Sequence, residues 1–217
     1  MIPTSPVVIK IGGSLLTLAG LAERLHSLLN SMSSTKVLFI IGGGAAADEV
    51  RRLDERFHFA PARAHWDAIS AMTSNSKLIS RILGSVPVVS VWDQAERAWQ
   101  RHPAAILDAS VFLRDKRAIF SQQLPESWIV TSDSIAACVA LDWPCDQVIF
   151  CKSCDPVSPF IDEVCQAGQL DAYIPSLRSS LQDSQMQLNW LNLQVDKPSI
   201  RPLRWIEYSD NRKLARQ

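Results

Sequence analysis

Lys10 stands inside "VVIKIGGS", residues 7–14, a run of β-branched apolar residues that ends in Gly12, Gly13 and Ser14. A charged side chain in a buried strand needs a partner, because an unpaired ammonium is costly to bury. A bound phosphate would supply one. A second apolar run, "LFIIGGGAAADEVR", ends in Gly42, Gly43 and Gly44. Each glycine run precedes a helical pattern, so backbone N–H groups and the positive end of a helix dipole would face the strand end. Both are candidate anion sites. Neither fits the P-loop pattern or the dinucleotide-binding fingerprint.

Two further stretches carry candidate chemistry. "TSDSIAACVAL" places Asp133 at the opening of a helix, where Ser132, Asp133 or Ser134 could also serve as the cap. "CKSCD" holds Lys152, Asp155 and a lone CxxC pair, Cys151 and Cys154. Zinc asks for four ligands, and only Cys145 and Cys165 lie near in sequence, so the pair reads as a strand end whose small apolar positions are cysteine. The five cysteines are odd in number, which favours free thiols, and no protein-held metal is expected.

The elements that must position these residues follow from the hydrophobic pattern. Short runs rich in Val and Ile at 7–11, 37–41, 86–91, 127–130 and 147–151 read as buried strands. Helical spacing covers 15–29, 46–57, 64–83, a broken stretch from 93 to 115, and 134–141. That alternation predicts an α/β fold, a three-layer α/β/α sandwich with a mainly parallel central sheet. Two alternating stretches near the end, "QMQLNWLNLQV" and "IRPLRWIEY", predict a C-terminal antiparallel hairpin or edge with Pro198 between them. "RHPAAILDAS" and "SCDPVSPF" read as loops.

A chain of 217 residues is long enough for one such domain with a substantial core. Its 22 basic and 22 acidic residues cancel, which argues against a nucleic-acid partner. No apolar run of about 18 residues is present and the N-terminal stretch lacks a signal-peptide pattern, so the expectation is a cytoplasmic protein without a membrane partner.

"KIGGS", "IGGGAAADEVR", "TSDSIAA" and "FCKSCDPVS" together resemble the four ordered signatures of the amino acid kinase family, over most of residues 6–160. The resemblance implies ATP and Mg2+ as cofactors, the metal held mainly through the ATP phosphates. It implies an acceptor-binding part over about 1–125, a nucleotide-binding part over about 126–217, and a homo-oligomer, dimer or higher. Lys10 would lie between the γ-phosphate and the acceptor, with Gly12, Gly13 and Ser14 holding phosphate oxygens. Gly42, Gly43 and Gly44 would form the acceptor loop. Asp133 would orient the lysines and Ser132 would bind the nucleotide, while the segment from Lys152 to Asp155 would line the nucleotide pocket, Lys152 also serving as a catalytic residue.

The chain departs from the family at one point. Many members carry a second transfer-site lysine in a GM-x-x-K segment, where this sequence has "GQLDAYIPSLRSS". Lys152 or Arg178 could supply the charge, or Lys10 and the metal could act alone, or activity could be lost. On the acceptor side, "HWDAISAM" resembles a small branch of the family, the aminomethylfuran-methyl phosphate kinases of methanofuran biosynthesis, which phosphorylate a phosphomonoester. A furan ring could pack on Trp66 or Met72, an aminomethyl group could meet Asp67, and His65 or Arg63 could meet the phosphate. A carboxylate acceptor, held by Arg51 or Arg63, is the alternative.

Overall fold

A computed structural model describes residues 5–207. Along the chain the strands are β1 (Val7–Ile11), β2 (Val37–Ile41), β3 (Val88–Val89), β4 (Ala104–Leu107), β5 (Gln147–Lys152), β6 (Gln187–Asn192) and β7 (Ile200–Pro202). The helices are α1 (Leu21–Ser31), α2 (Gly44–Phe57), α3 (Pro61–Ile82), α4 (Trp92–Ala98), α5 (Ala109–Phe112), α6 (Ser132–Asp142), α7 (Ile161–Gln166) and α8 (Arg178–Asp183). One seven-stranded sheet runs in the order β3-β4-β2-β1-β5-β6-β7. All its pairings are parallel except β6 with β7, which closes the edge as an antiparallel pair with Pro198 in its connection. The α/β/α architecture and the antiparallel edge therefore stand as read.

Strand pleating divides the core in two. Val7, Ile9 and Ile11 of β1 pack with Phe39 of β2 and Leu25 of α1 on one face. Val8 packs with Leu38, Val148 and the buried helix α6 on the other. Lys10 shares that second face by alternation, so the strand aims its ammonium towards α6. β1 is also where the order reverses: β2 leaves on one side and β5 on the other. In open parallel sheets, ligands bind at the carboxyl ends of strands beside such a switch.

Several elements differ from the sequence reading. The stretch 15–29 splits into a 3-10 turn, Gly13–Thr17, and α1, because Gly20 takes a left-handed φ of 72° between them. β4 lies inside the stretch read as broken helix and loop, 93–115. Ala104 and Ala105 favour helix in isolation, yet they are fully buried in the sheet, and tertiary packing outweighs that preference. Residues 127–130 form a turn rather than a strand, with Val130 N bonded to Ser127 O at 3.2 Å and Ile129 half exposed. Tyr208, the end of the second alternating stretch, lies outside the described residues.

Trp190 of β6 is the largest fully buried side chain, and its indole N–H donates to Cys154 O at 2.9 Å. Trp190→Ala removes both the volume and the donor, and is expected to cost about 3–5 kcal/mol. For a chain of this size that is a fall in Tm of roughly 6–20 °C, readable by circular dichroism. A fall below about 2 °C would show that the indole does not hold the sheet's outer half in place.

Candidate active site

α6 begins at the carboxyl end of the sheet and lies against β1, buried from Ser132 to Ala140. Its sequence is mostly small and apolar, which lets a helix buried on all sides approach the strands closely. Asp133, the second residue of this helix, is 3% exposed, and Lys10 is 4% exposed. Lys10 Nζ lies 2.8 Å from Asp133 Oδ1, and Lys152 Nζ lies 2.8 Å from Asp133 Oδ2. The first contact is a close ion pair, and only the second also has hydrogen-bond geometry. Lys152 Nζ further donates to Gln169 O at 2.7 Å.

The three charges perturb one another. Burial pushes the Asp133 carboxyl up, but Lys10 and Lys152 outweigh it and leave it below the ordinary carboxylate range. Burial pushes the Lys152 ammonium down. Asp133 pulls it back, Lys10 repels it, and the outcome is a lowered pKa. Two buried lysines share one carboxylate between them. Asp171, whose carboxylate also favours the Lys152 ammonium, brings a second negative charge to the mouth of the β1 and β5 strands.

The two glycine runs meet backbone to backbone. A Cβ on Gly13 would lie 2.5 Å from Gly44 N, so no other residue fits there without displacing the second loop. Gly44 opens α2 at a left-handed φ of 55°, which favours glycine again. Asn75 of α3 donates to both Gly42 O and Gly43 O at 2.9 Å and fixes that loop from the other side. Ser14 Oγ and Ser153 Oγ are 3.0 Å apart and join the first loop to the end of β5.

These elements surround a cleft of about 350 Å³. Lys10, Asp133 and Lys152 line it together, with Gly13, Ser14, Gly43, Gly44 and Ser132 along its polar end. Gly12 and Gly42 lie beneath it, their N–H groups bonded to Cys151 O and Ile11 O. Asp155 faces elsewhere, accepting from Asn192 Nδ2 at 3.2 Å and lying 3.4 Å from Arg201. Arg178 turns to Ile206 O at 2.8 Å and to the Trp205 ring, so the second cation beside Asp133 is Lys152. Cys151 is buried, its thiol pushed up to about 12 by burial, while Cys154 is exposed. Among the described residues no group of His, Cys, Asp and Glu could hold a metal ion.

The apolar end of the cleft lies between α2, α3 and the 127–130 turn. His65, Ile69 and Met72 of α3 reach it, as does Arg51 of α2. Burial lowers the His65 pKa, against the pull of Glu126. Arg63 and Asp67 are exposed on α3 and do not reach the cleft. Nor does Trp66. Its indole N–H donates to Glu126 at 2.9 Å and the Arg114 guanidinium covers its ring at 4.0 Å, so it pins the 113–131 segment to α3.

Trp128 takes the place at the cleft that the sequence reading gave to Trp66. Its N–H donates to Asp54 Oδ2 at 2.6 Å and Arg51 lies over its ring at 4.7 Å. The mistaken strand over 127–130 concealed it. Asp171 was also unforeseen. It lines the cleft and accepts from Thr131 N and Ser134 N, both at 2.8 Å, and from the Thr131 hydroxyl. The N-cap position of α6 is Thr131, not one of the three residues after it, and no side chain within the helix caps it. No local pattern marks Asp171, since its partners lie 37 and 40 residues away.

Residues 5–159 match the model of the amino acid kinase family. Over 134 residues the chain is 28% identical to the [5-(aminomethyl)furan-3-yl]methyl phosphate kinase of Methanocaldococcus jannaschii, a match covering 59% of this chain and 57% of that protein. The matched region is therefore little over half of that relative's length. Among solved structures, the UMP kinase of Ureaplasma parvum superposes with a TM-score of 0.61 at 16% identity, over 91% of this chain and 92% of that one. The uridylate kinase of Archaeoglobus fulgidus gives 0.60 at 16% identity, over 85% and 89%. At that identity the likeness is one of fold, while the family match spans most of the chain and contains Lys10, both glycine loops, Asp133 and Lys152. The chain belongs to the amino acid kinase family.

Proposed function

We propose that the protein is an ATP-dependent kinase that transfers the γ-phosphoryl group to a small anionic acceptor, a phosphomonoester of the aminomethylfuran type. The observation that carries this reading is the pair of buried ammoniums on one carboxylate, Lys10–Asp133–Lys152, facing a cleft floored by two glycine loops. Phosphoryl transfer has a loose transition state whose charge spreads over equatorial oxygens, so fixed cations and N–H dipoles supply most of the catalysis. Asp133 holds both ammoniums in place before the phosphates arrive, so little reorganisation remains. A phosphate acceptor is already ionised and asks for no general base.

Both Asp133 oxygens are engaged by lysines, and the described residues offer no acidic cluster. Those residues fit magnesium carried in on the nucleotide rather than a protein-built metal site. Bound with the nucleotide, magnesium would neutralise part of the phosphate charge. Lys10 and Lys152 supply the remaining positive charge, and Gly13, Ser14, Gly43 and Gly44 supply backbone at the phosphates.

The acceptor would occupy the end formed by His65, Met72, Arg51 and Trp128. A flat ring fits against Met72 and Trp128, the Arg51 guanidinium suits its phosphate, and Asp48 on the same helix suits an amine. The curated relative supports this choice by the acceptor in its name, and it would place the reaction in methanofuran-type cofactor synthesis. Arg51 equally suits a carboxylate, which keeps an N-acyl amino acid as the second acceptor class. Transfer to furanmethyl phosphate, alkyl phosphates and N-acyl amino acids, followed as ADP release and product mass, separates them. ATP binding with transfer to none would leave a nucleotide-binding protein without turnover.

Lys10→Met is expected to lower kcat by about 100-fold or more, with the circular dichroism spectrum retained. Full activity in that variant would remove Lys10 from the chemistry. Trp128→Ala is expected to raise KM for the acceptor by roughly 3- to 10-fold, the worth of one aromatic contact. KM for ATP should stay the same, and an equal change in both would place Trp128 outside the acceptor pocket.

A further inference from the structure

The first backbone N–H groups of a helix have no partner within it, and α6 does not cap itself. Asp171 does so from outside the helix. Its carboxylate takes the N–H groups of Thr131 and Ser134 and the Thr131 hydroxyl, so the turn that carries Asp133 is gripped on both sides of that residue. Two residues earlier, Gln169 O accepts from Lys152 Nζ. Both attachments come from one short stretch, Gly168–Asp171, which leaves α7 through Gly168 at a φ of 70°. Asp171 itself is buried, 8% exposed, and shares the cleft with the Asp133 carboxylate.

A simple helix cap has no need of that position. We propose that Asp171 is a positioning residue for phosphoryl transfer: it clamps the first turn of α6 so that the Asp133 carboxylate stays between Lys10 and Lys152. The assignment rests on the kinase reading of this site. Asp171 itself transfers no group and touches no reacting atom. Its effect passes through Asp133 and, by way of Gln169 O, through Lys152.

α6 contains its own control. At the opposite end, roughly 16 Å away along the helix, the Asp142 carboxylate also accepts three bonds, from Phe120 N at 2.8 Å, Ser121 N at 3.0 Å and Ser121 Oγ at 2.6 Å. Asp171→Asn and Asp142→Asn remove equivalent anchors from one helix, and only the first should disturb the lysines. The experiment compares both with wild type in steady-state transfer, in melting temperature, and in the rate at which acetic anhydride modifies Lys152, read by peptide mass spectrometry.

Asp171→Asn should lower kcat about 10- to 100-fold, as a misplaced catalytic group does, with KM for ATP changed by less than about twofold. Lys152 should be acetylated several-fold faster. Asp142→Asn should lose a similar amount of Tm and raise KM for the acceptor, whose proposed segment it anchors, yet leave Lys152 labelling within about twofold of wild type. If the two variants behave alike, or Asp171→Asn alters neither kcat nor labelling, Asp171 is only a structural cap. If the wild type transfers phosphate to no acceptor, the kinase reading falls, and the labelling comparison alone still decides the clamp. Should Asp171→Asn fail to fold, Thr131→Val removes one of the three donors. It should shift labelling in the same direction by a smaller factor, and unchanged labelling there overturns the proposal.

Discussion

The fold is organised around a charge that could not be buried alone. Lys10 sits in the central strand with apolar neighbours on either side, and an ammonium there costs several kcal/mol unless it is paired. Asp133 is that pair, and it is available only because α6 starts at the carboxyl end of β1 and lies close to the sheet. Closeness in turn requires the small residues of α6, Ala136, Ala137 and Ala140, all buried against the strands. Lys152 then arrives from the next strand and shares the carboxylate. Burial holds the Lys152 pKa down, with Lys10 adding to the effect, and an incoming phosphate would give both ammoniums a further anionic partner. In the proposed reading, stability of the core and affinity for an anion derive from one contact.

The glycine loops impose the second constraint. Gly13 and Gly44 touch through their backbones, so the floor of the cleft is built of peptide groups with no side chains between them and a ligand. Asn75 and the Ser14–Ser153 contact hold this floor from either side. Backbone donors fixed in this way need no rearrangement when charge develops, which is what electrostatic catalysis asks of them.

What could be read from the sequence was what is local. β1, β2 and β5 are Val- and Ile-rich runs buried on both faces, and their boundaries were legible to within a residue. Lys10, the glycines, Asp133 and Lys152 stood out because each breaks or ends such a run. β4 was concealed because alanines carry no strand signal of their own and acquire one only between β2 and β3. Trp128 and Asp171 were concealed for a related reason. Their partners lie 74, 40 and 37 residues away, and no periodicity encodes a pairing at that distance. Trp66 was misassigned because a tryptophan on an amphipathic helix looks the same whether it faces a ligand or, as here, Arg114 and Glu126.

The division between catalysis and acceptor recognition follows from the same geometry. The groups proposed for phosphoryl transfer stand on β1, β5 and the start of α6, elements fixed by the sheet. The groups proposed for the acceptor stand on α2, on α3 and on the 113–131 segment, which is held down by side-chain tethers: Trp66 to Glu126, Trp128 to Asp54, and Ser121 to Asp142. Tethered segments can change residues without disturbing a sheet, whereas Lys10 cannot change without unburdening Asp133 of its partner. α6 joins the two regimes, with Asp133 at one end in the proposed transfer site and Asp142 at the other anchoring the segment proposed to hold the acceptor. A shift of this one helix would move both together, so the sheet that buries it along its length would keep the proposed acceptor recognition in register with the proposed chemistry.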